Sequence, residues 1–459
     1  MGQVCASRVG RRKERGLRRL PALVAPFGIT LFSTDGWGPS ERHGDTEHHA
    51  GGKEPRQRME RAPITWRTRL PRCVRRMICF SQTERMHDLV IGPLINRYAC
   101  RRAIEYERHN AAPLAFSGYL PHEDLTALGT RMTHISVLDL SLITEGGDAA
   151  TALSNTRDLA QHAEAWGYRR YWVAEHHNMP GIASAATAVV IGHVASGTST
   201  IRVGAGGIML PNHAPLTIAE QFGTLAELHP GRIDLGLGRA PGSDQITQRA
   251  LRRDPMAAER FPQDVMELEG YLSGMTRVPG VEATPGKGTA VPLYILGSSL
   301  FGASLAAALG LPFAFASHFA PGALEEAIVL YRREFKPLTQ LDSPYVIAGV
   351  NVVAADTADE AEAHLLYAQR RRVARFVARG HVLTDDEADE LLASPAGQQL
   401  LLMMEYTAVG DPLGVKRYLD EFARHTAADE LIVTLTSPTL EARLRSATIL
   451  AEVAALPAA

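Results

Sequence analysis

From Ile135 to the end of the chain, short apolar runs alternate with stretches whose apolar residues recur at helical spacing. Eight runs read as strands: ISVLDLS (Ile135 to Ser141), YRRYWVAE (Tyr168 to Glu175), IRVGAGG (Ile201 to Gly207), RIDLGLG (Arg232 to Gly238), PLYILG (Pro292 to Gly297), PFAFAS (Pro312 to Ser317), YVIAGVNVVA (Tyr345 to Ala354) and ELIVTL (Glu430 to Leu435). None alternates strictly between apolar and polar, which is the pattern of a parallel strand covered on both faces. Helical spacing predicts helices over Ala149 to Trp166, Ser184 to Thr198, Leu216 to Leu228, Ala257 to Ser273, Ser299 to Leu309, Leu324 to Phe335, Asp359 to Val377, Pro412 to Ala423 and Leu440 to Ala455.

Strand and helix in repeated alternation fit an α/β protein built as a (β/α)8 TIM barrel, since parallel neighbours need helical crossovers. An open doubly wound sheet is the alternative. It calls for a glycine-rich phosphate turn after its first strand, and LDLSLITEGGDAA offers only Gly146 and Gly147 without the dinucleotide spacing. The stretch from about Gly380 to Tyr406 is an insertion between the seventh and eighth strands, either a lid or an extra packing helix.

The first 131 residues behave differently. They carry 23 Lys and Arg against 13 Asp and Glu, a net of about +10, whereas residues 132–459 carry 25 against 37, about −12. All four cysteines, Cys5, Cys73, Cys79 and Cys100, fall in the basic part at spacings that suit no common zinc site. No hydrophobic period persists there, so disorder or marginal helix is expected. A nucleic-acid arm would concentrate Lys and Arg, and a transit peptide would exclude acids; here Lys is scarce and acids are interspersed. A start placed upstream of Met132, or a disordered tail, remains. No run reaches the ~20 apolar residues that span a bilayer, so neither nucleic acid nor membrane is expected as a partner, and the protein reads as cytoplasmic.

In a barrel, the C-terminal ends of the strands form the active face. The second strand ends in Glu175, His176 and His177, groups able to move protons or orient a ligand. Adjacent side chains point to opposite sides, so one histidine should face the mouth and the other pack outward; capping of the next turn is the plainer reading. His213 and His318 could complete a zinc site, though nothing in the spacing requires one. Asp139, near the end of the first strand, either faces the mouth or caps a turn. Gly206 and Gly207 allow a flat ligand close to the backbone. Arg239 sits in a loop where a guanidinium could grip a phosphate. Gly297, Ser298 and Ser299 begin a helix whose N–H groups, with two hydroxyls, could cradle one; ordinary serine capping competes.

Three ordered blocks, AEHHNMPGIASAATAVVIGHVAS, IRVGAGGIMLPNHAPLTIAEQFGTLAELHPGRIDLGLGRAPGSD and LGSSLFGASLAAALGLPFAFASHFAP, resemble the flavin-dependent luciferase-like monooxygenases, barrel proteins related to bacterial luciferase. The resemblance runs from about His134 to the C-terminus; nothing like the family precedes Met132. It implies reduced FMN and O2 acting on a small organic substrate at the barrel mouth, with a separate flavin reductase as partner and a homodimeric assembly. On that likeness His176 is the catalytic histidine, with Glu175 and His177 lining the same site. Gly206 and Gly207 fall where the family places a non-prolyl cis peptide beneath the isoalloxazine ring. Gly297, Ser298 and Ser299 match the phosphate-binding turn, with Arg239 as a phosphate partner and Arg260, through a gapped match, as a second; Asp139 joins the cofactor contacts. Gly238 stands where bacterial luciferase has a reactive cysteine, so light emission is not implied. The deazaflavin F420 is the alternative cofactor, and a flavin-binding protein without turnover the alternative role.

Overall fold

The parallel pairing that buried apolar runs demand closes on itself. A computed structural model describes residues 134–457 apart from 145, 241–244, 255 and 379–380, together with Phe32–Ser33 and His49–Ala50, a short parallel pair. Expectations for the rest of residues 1–131 lie outside the described residues. Residues 1–127 and 128–459 form separate units, and the barrel belongs to the second.

The strands are β1 (His134–Asp139), β2 (Arg170–Val173), β3 (Arg202–Met209), β4 (Ile233–Gly238), β5 (Leu293–Gly297), β6 (Phe313–Phe315), β7 (Val346–Ala354), β8 (Thr407–Gly410) and β9 (Glu430–Leu435). Their order is β8-β7-β9-β1-β2-β3-β4-β5-β6, and a β6–β7 pairing closes the barrel, leaving β8 as an extra strand outside β7. All pairings are parallel. The helices are α1 (Ala149–Ala165), α2 (Thr187–Ser196), α3 (Pro215–Leu228), α4 (Gln245–Ala250), α5 (Phe261–Ser273), α6 (Leu300–Ala308), α7 (Leu324–Glu334), α8 (Ala358–Phe376), α9 (Asp385–Ala393), α10 (Pro395–Leu402), α11 (Pro412–Thr426) and α12 (Leu440–Val453). Asp148 starts α1 by accepting from the Thr151 N–H at 2.7 Å, the expected use of a short carboxylate at a helix start. Among the described residues no helix is long and apolar enough to cross a membrane.

Side-chain parity divides the core in two. Val137, Tyr171, Val173, Val203 and Leu235 face the helices, while Leu138, Trp172, Ala174, Tyr294, Ile347 and Ile432 fill the barrel interior. Below that apolar layer, at the strand N-termini, lies a buried polar knot. Arg170 donates to both Glu430 oxygens at 2.7 and 3.0 Å, to Asp234 at 2.7 Å and to the Tyr294 hydroxyl at 2.8 Å. The lower end is thereby filled by polar side chains.

The insertion between β7 and β9 holds α9 and α10, followed by β8. Thr384 and Glu387 form a reciprocal capping box at the start of α9. Ala388, Leu392 and Leu400 pack with Val373 of α8 in a small core of their own.

Candidate active site

Each functional group sits where a strand ends. Beyond Val173 the inward parity of Trp172 and Ala174 continues to His176, and Glu175 and His177 take the other side. The half-buried His176 has a buried Nδ1 with no hydrogen-bond partner. Burial lowers its pKa; the Glu175 charge opposes this, and Arg375 and His177 add to it. The imidazole is therefore neutral at pH 7, with a nitrogen free to take or give a proton.

Glu175 is buried and fully engaged. Its carboxylate accepts from the Met209 N–H at 2.9 Å and the Asn212 amide at 3.1 Å. His177 Nε2 lies 2.8 Å from Oε1, and His213 Nε2 lies 2.9 and 3.0 Å from the two oxygens. Burial raises the carboxyl pKa, but the His213 bond and charge, the Asn212 amide and the Met209 N–H outweigh it, and the net shift is downward. Ligand-capable atoms of Glu175, His177 and His213 lie within 4.8 Å of one another. Here that proximity is the geometry of one carboxylate tying the end of β2 to the loop after β3. Glu175 and His177 hold the frame in which His176 stands.

The opposite wall adds His318, after β6. Its main-chain oxygen accepts from the Asn351 amide at 2.6 Å. The imidazole packs against β7 at Gly349, where a Cβ would come within 2.4 Å of Nδ1. Burial, then the charges of Arg372 and His176, push its pKa down to about 3. Nδ1 has no partner, so two neutral imidazoles share the mouth. The two histidines weighed for zinc thus part company: His213 joins Glu175, and His318 joins His176.

On the β3 to β5 side the Gly206–Gly207 peptide is cis. Gly206 turns inward, and a Cβ there would meet Leu138 Cδ1 at 2.6 Å and Trp172 Cβ at 3.0 Å, so a larger residue would have to push Leu138 aside. Ser298 and Ser299 are exposed, and Ser299 stands at the N-cap of α6 without spending its hydroxyl on the helix. Arg239 reaches this turn from β4, its guanidinium 4.2 Å from the centre of the Phe301 ring. Free helix N–H groups, two hydroxyls and a guanidinium suit a phosphate. Pro241 to Asp244, the rest of that loop, lie outside the described residues.

Two residues expected as cofactor contacts lie away from the phosphate turn. Asp139 has outward parity: its carboxylate accepts from Thr156 of α1 at 2.6 Å and Tyr171 at 2.8 Å, in the layer between barrel and helices. Arg260 precedes α5 and pairs with Asp254 at 2.8 Å, more than half exposed; the turn at Ser298 is not its partner. Missed altogether were Arg170 and the cations of α8, which helical spacing alone could not aim.

Residues 133–430 match the luciferase-like monooxygenase family. A luciferase-like monooxygenase of Escherichia coli K12 is 49% identical over 316 residues, covering 68% of this chain and 94% of that protein. The N-acetyl-S-alkylcysteine monooxygenase of Bacillus subtilis is 38% identical over 249 residues, covering 51% and 72%. Among solved structures, apo-MsnO8 has a TM-score of 0.65 at 34% identity, covering 71% of this chain and 100% of that one. The oxygenating constituent of 3,6-diketocamphane monooxygenase with FMN (TM-score 0.54, 15% identity; 70% of this chain, 97% of that one) shares the fold. So does an F420-dependent secondary alcohol dehydrogenase (0.52, 15%; 70% and 98%). Residues 1–100, apart from this region, match the IS1 transposase family.

Proposed function

Because the chain belongs to the luciferase-like monooxygenase family, we propose that its barrel mouth binds reduced FMN beside a small organic substrate and oxygenates that substrate with O2. The residues present fit the flavin. Arg239, Ser298 and Ser299 would hold its phosphate at the ends of β4 and β5. When bound, reduced FMN supplies the electrons that activate O2. His176 presents an unpartnered Nδ1 on a neutral imidazole, which lets it accept a proton from one group and return it to another. The Glu175 network keeps the loop behind His176 in register, and His318 and the apolar floor of Trp172 and Leu138 limit the water at the reacting centre.

The observation that carries this reading is the neutral imidazole and the anion-receptive turn on one barrel mouth. The relative named for N-acetyl-S-alkylcysteine supports a small organic substrate. Without a dinucleotide fingerprint, the reduced flavin comes from a separate reductase. A cytoplasmic homodimer belongs to the same reading, with residues 1–131 as an appendage; a chain beginning at Met132 should fold and bind as the whole does. F420 is the competing cofactor, since the same barrel serves F420-dependent enzymes. The test is oxygen-dependent product formation from reduced FMN and a panel of small organic substrates. His176→Ala should cost about 100-fold or more while flavin affinity holds. Equal affinity with no turnover in either protein leaves flavin storage as the function.

A further inference from the structure

A second set of charges lies across the mouth from the Arg239 turn. Helix α8 leaves β7 carrying Arg370, Arg371, Arg372 and Arg375. Helical spacing sends them to different sides: Arg372 and Arg375 are three apart and share a face, which Arg370 does not. Arg370 turns to α9, where it donates to the two Asp389 oxygens at 2.7 and 2.6 Å and pairs with Asp385. Arg372 and Arg375 meet no carboxylate among the described residues, and the Arg372 Nε is buried without a hydrogen bond.

Their position is fixed from several directions. The Arg375 guanidinium lies against Gly181, in the loop beyond His176, where a Cβ would come within 2.4 Å of Nη2. The charge of Arg372 acts on His318, and that of Arg375 on His176. The contact with Gly181 sets the Arg375 guanidinium at the loop that follows His176, and Arg372 shares that helix face. Glu175 makes no ion pair with either; backbone, amide and two imidazoles take up its carboxylate. Burial works against the charged forms of both arginines, with the charge of Arg375 adding to it at Arg372 and that of Arg371 at Arg375. Partly buried guanidiniums without an acid are arranged for an oxyanion from outside the chain.

We propose that Arg372 and Arg375 clamp an oxyanion carried by the organic substrate, which makes that substrate a small carboxylate or sulfonate rather than a neutral aldehyde or alkane. This rests on reading the mouth as the substrate site. The flavin phosphate has its own partners at the ends of β4 and β5, so the two anionic groups have separate partners.

The full chain, freed of flavin, is titrated calorimetrically with hexanoate, hexane-1-sulfonate and hexanamide, probes matched in chain length. Both anions should bind about tenfold or more tightly than the amide, and their ranking separates carboxylate from sulfonate. Arg372→Gln and Arg375→Gln should each remove most of that preference, and the exposed Arg333→Gln should leave it intact. If a Gln variant fails to fold by circular dichroism, Arg372→Lys, which keeps charge but loses the fork, should give an intermediate preference. FMN binding, followed in the visible spectrum, should be unchanged in the Arg372 and Arg375 variants. Absent anion binding, an amide bound as tightly as the anions, or a preference surviving both substitutions overturns the clamp. So does a loss of affinity in Arg372→Gln for FMN but not riboflavin, which would assign the guanidinium to the cofactor. Anion selectivity in a chain that binds no FMN would remove the flavin reading and leave the clamp standing.

Discussion

Replacing Arg170 with Met keeps the apolar stem of the side chain and removes a guanidinium that is 2% exposed and makes four hydrogen bonds at 2.7 to 3.0 Å. The two acids left behind are not stripped bare. Glu430 keeps the Ser136 hydroxyl at 2.5 Å and the Tyr345 hydroxyl at 2.8 Å, and Asp234 keeps Arg202 and the Trp172 indole. Breaking one partner out of a buried ion pair costs about 3–5 kcal/mol, mostly from the charge that stays behind. The retained donors place Arg170→Met within that range rather than above it. The penalty falls on acids that stay charged without Arg170, so the variant's deficit is largest at neutral pH and shrinks as pH falls. Urea unfolding of wild type and variant at pH 7 and pH 5 measures both effects. A deficit below about 1 kcal/mol, the scale of an exposed pair, or one that does not shrink on acidification, would refute the assignment of this knot as a buried, charge-paired floor.

Other consequences follow from the mouth. Arg239→Gln should weaken FMN by about ten- to 100-fold, the worth of one charge-assisted hydrogen bond, and leave riboflavin unaffected; fluorescence titration of both distinguishes a phosphate contact from a general defect. Gly206→Ala drives a Cβ to 2.6 Å from Leu138 and 3.0 Å from Trp172, so a loss of about 1–3 kcal/mol in urea unfolding is expected. His318 titrates near 3 in the folded protein against an ordinary 6.5. The unfolded chain binds the extra proton between those values, so stability is complete above 6.5 and declines as pH falls towards 3. His318→Gln should flatten that decline in the pH dependence of unfolding.

Much of the barrel was legible because parallel strands advertise themselves as apolar runs, and ELIVTL matches β9 to the residue. The extra strand TAVG was not, since four residues without a bulky side chain carry no periodic signal and β8 exists through its pairing with β7. At the site, residue types at strand ends were readable, but parity after an irregular strand end was not. Asp139 could be read as a mouth residue or a turn cap, and Tyr171 and Thr156 hold it from the helix side. Arg170 and Arg169 are neighbours of identical type, and only the pleat decides which one enters the knot. Arg372 and Arg375 were hidden because their meaning depends on α8 reaching the loop at Gly181, a tertiary fact with no local trace.

The most direct measurement is a titration of the chain with FMN, and in parallel with F420, followed through the visible spectrum. The account predicts saturable FMN binding that weakens in Arg239→Gln and persists in His176→Ala, with no comparable response to F420. Saturation by F420 alone, or FMN binding indifferent to Arg239, would contradict it.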